Sequence, residues 1–223
     1  MSTSSNDCSL PEILSLLGGL AEYPKAGFCD LVARAKPLIT GEAQLQFDEF
    51  ASTITQLSPD AREELYTGTF DVTPACVPYV SIHLFGEENF KRGEFMAALN
   101  AQYAAIDFSP NGDLPDHFAN LLRYAAAVDA AERQELVHFC LLGPLAKMAR
   151  GLHQENPYRA LLEVILTTLA AAYPGLQAPL SPLEQMQQHG TACAAVSSGC
   201  GCGSHLTSEA PPSQLSRSEP ALT

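Results

Sequence analysis

Apolar residues recur along this chain at intervals of three and four, the spacing of a helix face. Nowhere do they hold the alternation of a half-buried strand. Ser9, Leu10, Pro11 and Glu12 fit a capping box with proline in the first turn. Ile13, Leu14, Leu16, Leu17 and Leu20 supply the face that follows, and Pro24 marks the exit. Leu31, Val32, Leu38 and Ile39 predict a second helix; Leu45, Phe47, Phe50, Ile54 and Leu57 predict a third. Ser58-Pro59-Asp60 is a helix start with a cap, a first-turn proline and an acid near the positive end of the dipole. That helix runs through Leu65 and Tyr66 towards Phe70.

The stretch from Asp71 to Glu88 is less regular, because Pro74 and Pro78 remove backbone donors and Gly86 permits a turn. Phe90 to Ala105 is amphipathic again through Phe95, Met96, Leu99 and Tyr103. Asp113 is expected to cap a helix that begins at Leu114-Pro115 and carries Phe118, Leu121, Leu122 and Ala125. Another helix is expected from about Ala130, broken or bent at Gly143-Pro144. Asn156-Pro157 starts the last, which ends before Pro174-Gly175. The pattern predicts an all-α fold, a single bundle of about eight helices over residues 8–175. Residues 176–223 turn rich in Pro, Ser, Gln and Gly, with few large apolar side chains, and read as a mostly disordered tail.

Charge changes the picture most. Twenty-five acidic residues against twelve basic give a net charge of −13 and a pI near 4.7. Such a surface disfavours nucleic acid and anionic lipid, which are bound through Lys and Arg clusters, and it favours a basic peptide. The first residues carry no basic region followed by a long apolar run, and no apolar stretch has the length of a membrane span. Cys8, Cys29, Cys76 and Cys140 are scattered without metal spacing, as in a protein with reduced thiols, and the expected location is the cytoplasm.

Two segments carry a denser pattern. The first runs Tyr66-Thr67-Gly68-Thr69-Phe70-Asp71, then Tyr79-Val80-Ser81-Ile82-His83-Leu84-Phe85-Gly86, then Lys91-Arg92-Gly93. The second is Asp113-Leu114-Pro115-Asp116-His117. In order and spacing they resemble the NarJ branch of the TorD-like chaperones, and Asn156-Pro157-Tyr158 before an apolar helix is similar to that family too. The resemblance spans residues 10–174. It departs where the family commonly has a proline after Leu-Pro-Asp-His and later a Glu-Phe pair; here those places hold Ala119 and Arg123-Tyr124. The resemblance implies a TorD-like helical fold and a function without catalysis or a resident cofactor. The implied partner is the immature catalytic subunit of a molybdopterin oxidoreductase of the nitrate reductase type, bound through its N-terminal segment and held for cofactor insertion before membrane attachment or export. Neither nucleic acid nor membrane insertion is implied. The residues placed at the client surface are Phe70, Asp71, Tyr79, His83, Phe85, Arg92, Asp116 and His117.

Each of these also has a plainer reading. Asp116 suits the first turn of a helix, with His117 a polar neighbour, and His83 suits a hydrogen-bonded core position. Phe70, Tyr79 and Phe85 suit plain core. Arg92 is expected to pair internally with Asp71 or Asp116. Asp116-His117 as a catalytic or metal pair would need further His and Asp ligands that the sequence does not assemble. A rival from another class lies in the tail, where His189, Cys193, Cys200, Cys202 and His205 offer three thiols and two imidazoles to zinc or a soft metal, or to thiol chemistry. Their spacing is not that of a standard zinc ribbon or finger.

Overall fold

Helices form where apolar residues recur with helical period, several of them behind a capping side chain. A computed structural model describes residues 10–188 apart from residue 73. Ser9 of the expected capping box, Cys8, and the tail residues His189, Cys193, Cys200, Cys202 and His205 lie outside the described residues. Ten α-helices are described: α1 (Leu10–Leu20), α2 (Phe28–Ala35), α3 (Ala43–Gln56), α4 (Pro59–Phe70), α5 (Val80–Phe85), α6 (Lys91–Ala105), α7 (Phe118–Ala127), α8 (Ala130–Leu136), α9 (Leu142–Gly151) and α10 (Pro157–Ala172). Residues 182–188 are helical as well. The all-α expectation holds, with more helices than the eight expected because the irregular stretch hides the short α5 and a long helix is split in two. No described helix is long and apolar enough to cross a membrane.

The caps explain several boundaries. Ser58 accepts the Ala61 amide at 3.2 Å to start α4, and Asn156 accepts the Tyr158 amide at 2.9 Å to start α10. Asp129 accepts two amides, of Ala131 and Glu132, and starts α8. The start of α7 differs from expectation. Asp113 does not cap it, and Leu114 to Asp116 precede it. His117 is the cap, its Nδ1 accepting the Ala119 amide at 3.2 Å. Asp116 therefore lies outside the first turn, and its main chain is drawn aside to pair with another segment, as described below.

The long helix from Ala130 is interrupted one turn before the Gly143-Pro144 pair. Residues Val137–Leu141 form a π-helical turn in which the Leu142 amide bonds the Val137 carbonyl, linking α8 to α9. Proline at 144 has no amide to donate and its ring crowds the carbonyl four residues back, so one wider turn absorbs the conflict without ending the helix.

Helix α10 is the centre. It packs on α3 and α9, while α1 packs on α7 and more lightly on α2 and α10. Gly18 sets the α1–α7 approach: a Cβ there would meet Arg123 Cγ at 2.7 Å and the Ala119 carbonyl oxygen at 3.0 Å. In α3 the buried set is Ala43, Phe47, Phe50, Ala51 and Ile54. Leu45, counted with that face from its apolarity, points away and is 79% exposed. The compact unit also passes the boundary expected at residue 175 and extends to Gln187. Residues 176–187 stay with it through hydrogen bonds that composition does not reveal, described below.

Candidate functional site

The two dense motifs, separate in sequence, meet at their backbones. Tyr79 and His117 form an isolated antiparallel bridge. The Val80 amide donates to the Asp116 carbonyl at 2.9 Å, and the Phe118 amide donates to the Pro78 carbonyl at 3.0 Å. Pro78 lacks an amide but keeps its acceptor, so a proline-broken stretch can still be pinned here. The pairing sets the starts of α5 and α7 side by side.

A polar knot forms on the α5 side. Asp116 is fully buried. Its Oδ2 accepts the Ser81 hydroxyl and the Ser81 amide at 3.3 Å. The same hydroxyl accepts Arg92 Nε at 3.0 Å, and Arg92 Nη1 donates to the Glu87 carbonyl at 2.8 Å. Arg92 thus reaches Asp116 through Ser81, in place of the direct ion pair expected with Asp71 or Asp116. Asp116 Oδ1 is buried without a hydrogen-bond partner, so the knot is held by one oxygen of the carboxylate.

On the other side lies an aromatic cluster. Phe70 meets Tyr66, Tyr158 and Phe118 with ring centroids 5.2, 5.0 and 5.7 Å apart, and Tyr158 continues to Phe50 at 6.1 Å. His117 sits between knot and cluster. Its ring stacks on Phe118 at 5.2 Å and meets Tyr79 edge-on at 5.8 Å. Because Nδ1 accepts the Ala119 amide, the neutral ring carries its proton on Nε2, which faces the Tyr66 hydroxyl at 3.5 Å. Burial holds the His117 pKa below its ordinary value, against the pull of Asp113 and Asp116.

The expected site residues therefore fall into layers. Phe70, Asp116 and His117 are buried. Tyr79, His83, Phe85 and Arg92 are half-buried, and Asp71 is exposed. His83 donates from Nε2 to the Val77 carbonyl at 2.8 Å, and burial together with Lys147 holds its pKa down. Phe85 packs against Phe95 at 5.8 Å, away from the aromatic cluster. The Tyr79 hydroxyl pKa is raised by burial, then by Asp113, Asp116 and Asp71. Exposed Asp71 and Asp113 make an acidic rim near it. No group of three His, Cys, Asp or Glu side chains suited to a metal gathers among the described residues. Burial pushes the Cys76 thiol up to about 12 and the Cys140 thiol up to about 11, so neither is a ready nucleophile.

Sequence reasoning gave no role to Ser81 or Lys147 and gave Asp113 only that of a helix cap. Ser81 left a faint signal, a small polar residue inside the apolar run before His83. Lys147 left none, since it acts across 64 positions by donating to the His83 carbonyl at 3.1 Å.

The family model described as nitrate reductase delta subunit matches residues 37–169, more than half of the chain, from the end of α2 almost to the end of α10. The chain belongs to the nitrate reductase delta subunit family. The match contains both motifs of the polar knot and the whole aromatic cluster. A curated relative, the probable nitrate reductase molybdenum cofactor assembly chaperone NarJ of Bacillus subtilis (strain 168), is 25% identical over 170 residues, covering 76% of this chain and 92% of the relative. Both findings agree with the resemblance read from the motifs.

In this delta-subunit family member, the positions that depart from the motif pattern are occupied structurally. Arg123 pairs with Glu22 at 3.1 Å and lies over the Phe108 ring at 5.4 Å. Tyr124 is buried, donating its hydroxyl to Glu132. Ala119 supplies the amide that fixes the His117 ring, a donor that proline would lack.

Proposed function

We propose that this protein is a nitrate reductase molybdenum cofactor assembly chaperone of the cytoplasm. It binds the immature catalytic subunit, holds it open for cofactor insertion before membrane attachment or export, and catalyses no reaction itself. The observation that carries this reading is the family match, which encloses the paired motifs and the helices that hold them. The client segment is the N-terminal one, and it docks over the α5–α7 junction. Tyr79, His83 and Phe85 offer partly apolar contact there, Asp71 and Asp113 offer carboxylates to client Arg or Lys, and Asp116, His117, Phe70 and Arg92 hold the surface from beneath. A chaperone that binds the unfinished client better than the finished one shifts the equilibrium by mass action and needs no nucleotide.

The test is co-expression with the cognate catalytic subunit in cells unable to make the molybdenum cofactor. The expected result is a complex that survives purification, forms through the client's N-terminal peptide, and dissociates once cofactor is supplied. Failure to associate with cofactor-free client, with turnover of a small molecule by the purified chain, would overturn the proposal.

A further inference from the structure

Residues 176–187 cross the face made by the end of α5 and by α9, and their contacts define what that face holds. Leu183 lies over Gly86, where a Cβ would sit 3.5 Å from Leu183 Cδ1. Gly86 also has φ +88 and ends α5, so the leucine rests on a position with no side chain in its way. Lys147 Nζ pairs with Glu184 at 3.1 Å and donates to Ser181 Oγ at 3.3 Å, besides holding the His83 carbonyl. Ser181 and Glu184 cap each other: the Ser181 amide donates to Glu184 Oε2 at 2.7 Å and the Glu184 amide to Ser181 Oγ at 3.3 Å, at the start of the helical stretch 182–188. A cavity of about 180 Å³ remains between this strap and α9, with Phe139 and Leu180, each about half exposed, at its edge.

We propose that the α5–α9 face is a docking surface for the first turn of a client helix with the pattern Ser/Thr-x-Leu-Glu. The strap occupies it in the resting protein, and the client displaces the strap. This rests on the chaperone reading, and adds to the α5–α7 junction a second surface for the same client. The strap is a model of the occupant: leucine on Gly86, carboxylate on Lys147, and the capping hydroxyl within reach of the same ammonium. In a chain with twelve basic residues against twenty-five acidic, Lys147 and Arg150 on this face are a local exception that attracts an acid. The grip suits displacement. Its ion pair is open to water, with side chains 25% and 36% exposed, and such pairs contribute about 0–1 kcal/mol. Segments held by few buried apolar contacts open well below the energy of global unfolding.

The test uses the full chain. A Cβ on Gly143 would stand 3.6 Å from the Ala178 Cβ, inside the disulfide range of about 3.5–4.5 Å. The double variant Gly143→Cys, Ala178→Cys therefore staples the strap when oxidised, with the bridge verified by peptide mapping. The probe is a fluorescent N-terminal peptide of the cognate catalytic subunit. Oxidation is expected to weaken its binding at least about tenfold, with recovery on reduction, because the open fraction scales the apparent affinity. Glu184→Lys is expected to strengthen binding, and in the unmodified protein strap amides are expected to exchange hydrogen faster than those of α10. Equal binding by stapled and reduced protein would overturn the strap inference and leave the chaperone reading standing, as would strap amides exchanging no faster than α10. If the strap opens freely and no variant binds the peptide, the client reading fails and the docking proposal fails with it.

Discussion

The bridge between Tyr79 and His117 separates two regions built on opposite terms. Towards α4 and α10 lies a dry cluster of Tyr66, Phe70, Phe118 and Tyr158, each buried and each in ring contact with another. Towards α5, α6 and α9, beside the Phe85–Phe95 contact, a chain of hydrogen bonds and an ion pair runs from Ser81 with Asp116 and Arg92 to Lys147 with Ser181 and Glu184. Aromatic burial is strong and non-directional, so it fixes the body of the molecule. The Lys147–Glu184 contact reaches the surface and exchanges readily with water, while Ser81 and Asp116 are buried and hold their place beneath it. One backbone pairing serves both regions and ties the exchangeable skin to a rigid frame.

The largest effect belongs to the aromatic side. Phe70→Ala is expected to cost about 3–5 kcal/mol in denaturant unfolding, the usual range for deleting a buried ring. A loss below about 1 kcal/mol would show that the cluster does not anchor the frame. Next is the knot. Asp116→Ala removes the acceptor of the Ser81 hydroxyl and amide, and is expected to cost about 1–3 kcal/mol. Asp116→Asn keeps an acceptor and should cost less. Equal costs for the two would mean that the hydrogen bonds to Ser81 do not hold the knot.

His117 predicts a pH dependence. Its folded pKa lies below the unfolded value, so below about pH 6.5 the unfolded state takes up the proton first. Stability is therefore full above that pH and falls as pH drops towards the folded pKa, by at most about 1.4 kcal/mol per pH unit. His83, shifted the same way, adds to the slope. Unfolding across pH 5 to 7.5 measures it, and a flat profile would contradict a buried neutral ring.

The smallest global effect is at the strap. Glu184 is held down to about 2 by hydrogen bonds from Ser181 and Lys147, so it is ionised at neutral pH and its contribution fades only as pH falls from the ordinary carboxylate range towards that value. Glu184→Gln should move global stability by no more than about 0.5 kcal/mol, while hydrogen exchange in residues 176–187 rises. A large global loss would instead make the strap part of the frame.

How much of this was legible depended on the range of the interaction. Ser58-Pro59 and Asn156-Pro157 announced α4 and α10 because a cap and the amides it serves lie within three residues. The pairing of α5 with α7 was not legible, since the bond from Val80 to Asp116 crosses 36 positions and leaves no periodic trace. Arg92 was expected to pair with Asp71 or Asp116, and the Ser81 hydroxyl through which it reaches Asp116 was missed. Leu45 was assigned to the core from its chemistry, and the helix turned it outwards.

Local chemistry alone settled the helical class, the caps of α4 and α10 and the acidic character of the surface, because each depends on neighbours a turn or less away or on a simple count of charges. Which carboxylate is buried, where the π turn relieves Pro144, and how residues 176–187 come to lie across α9 followed from packing. Those outcomes depend on groups brought together from distant parts of the chain, and in the case of Lys147 one ammonium gathers His83, Ser181 and Glu184 at a single point.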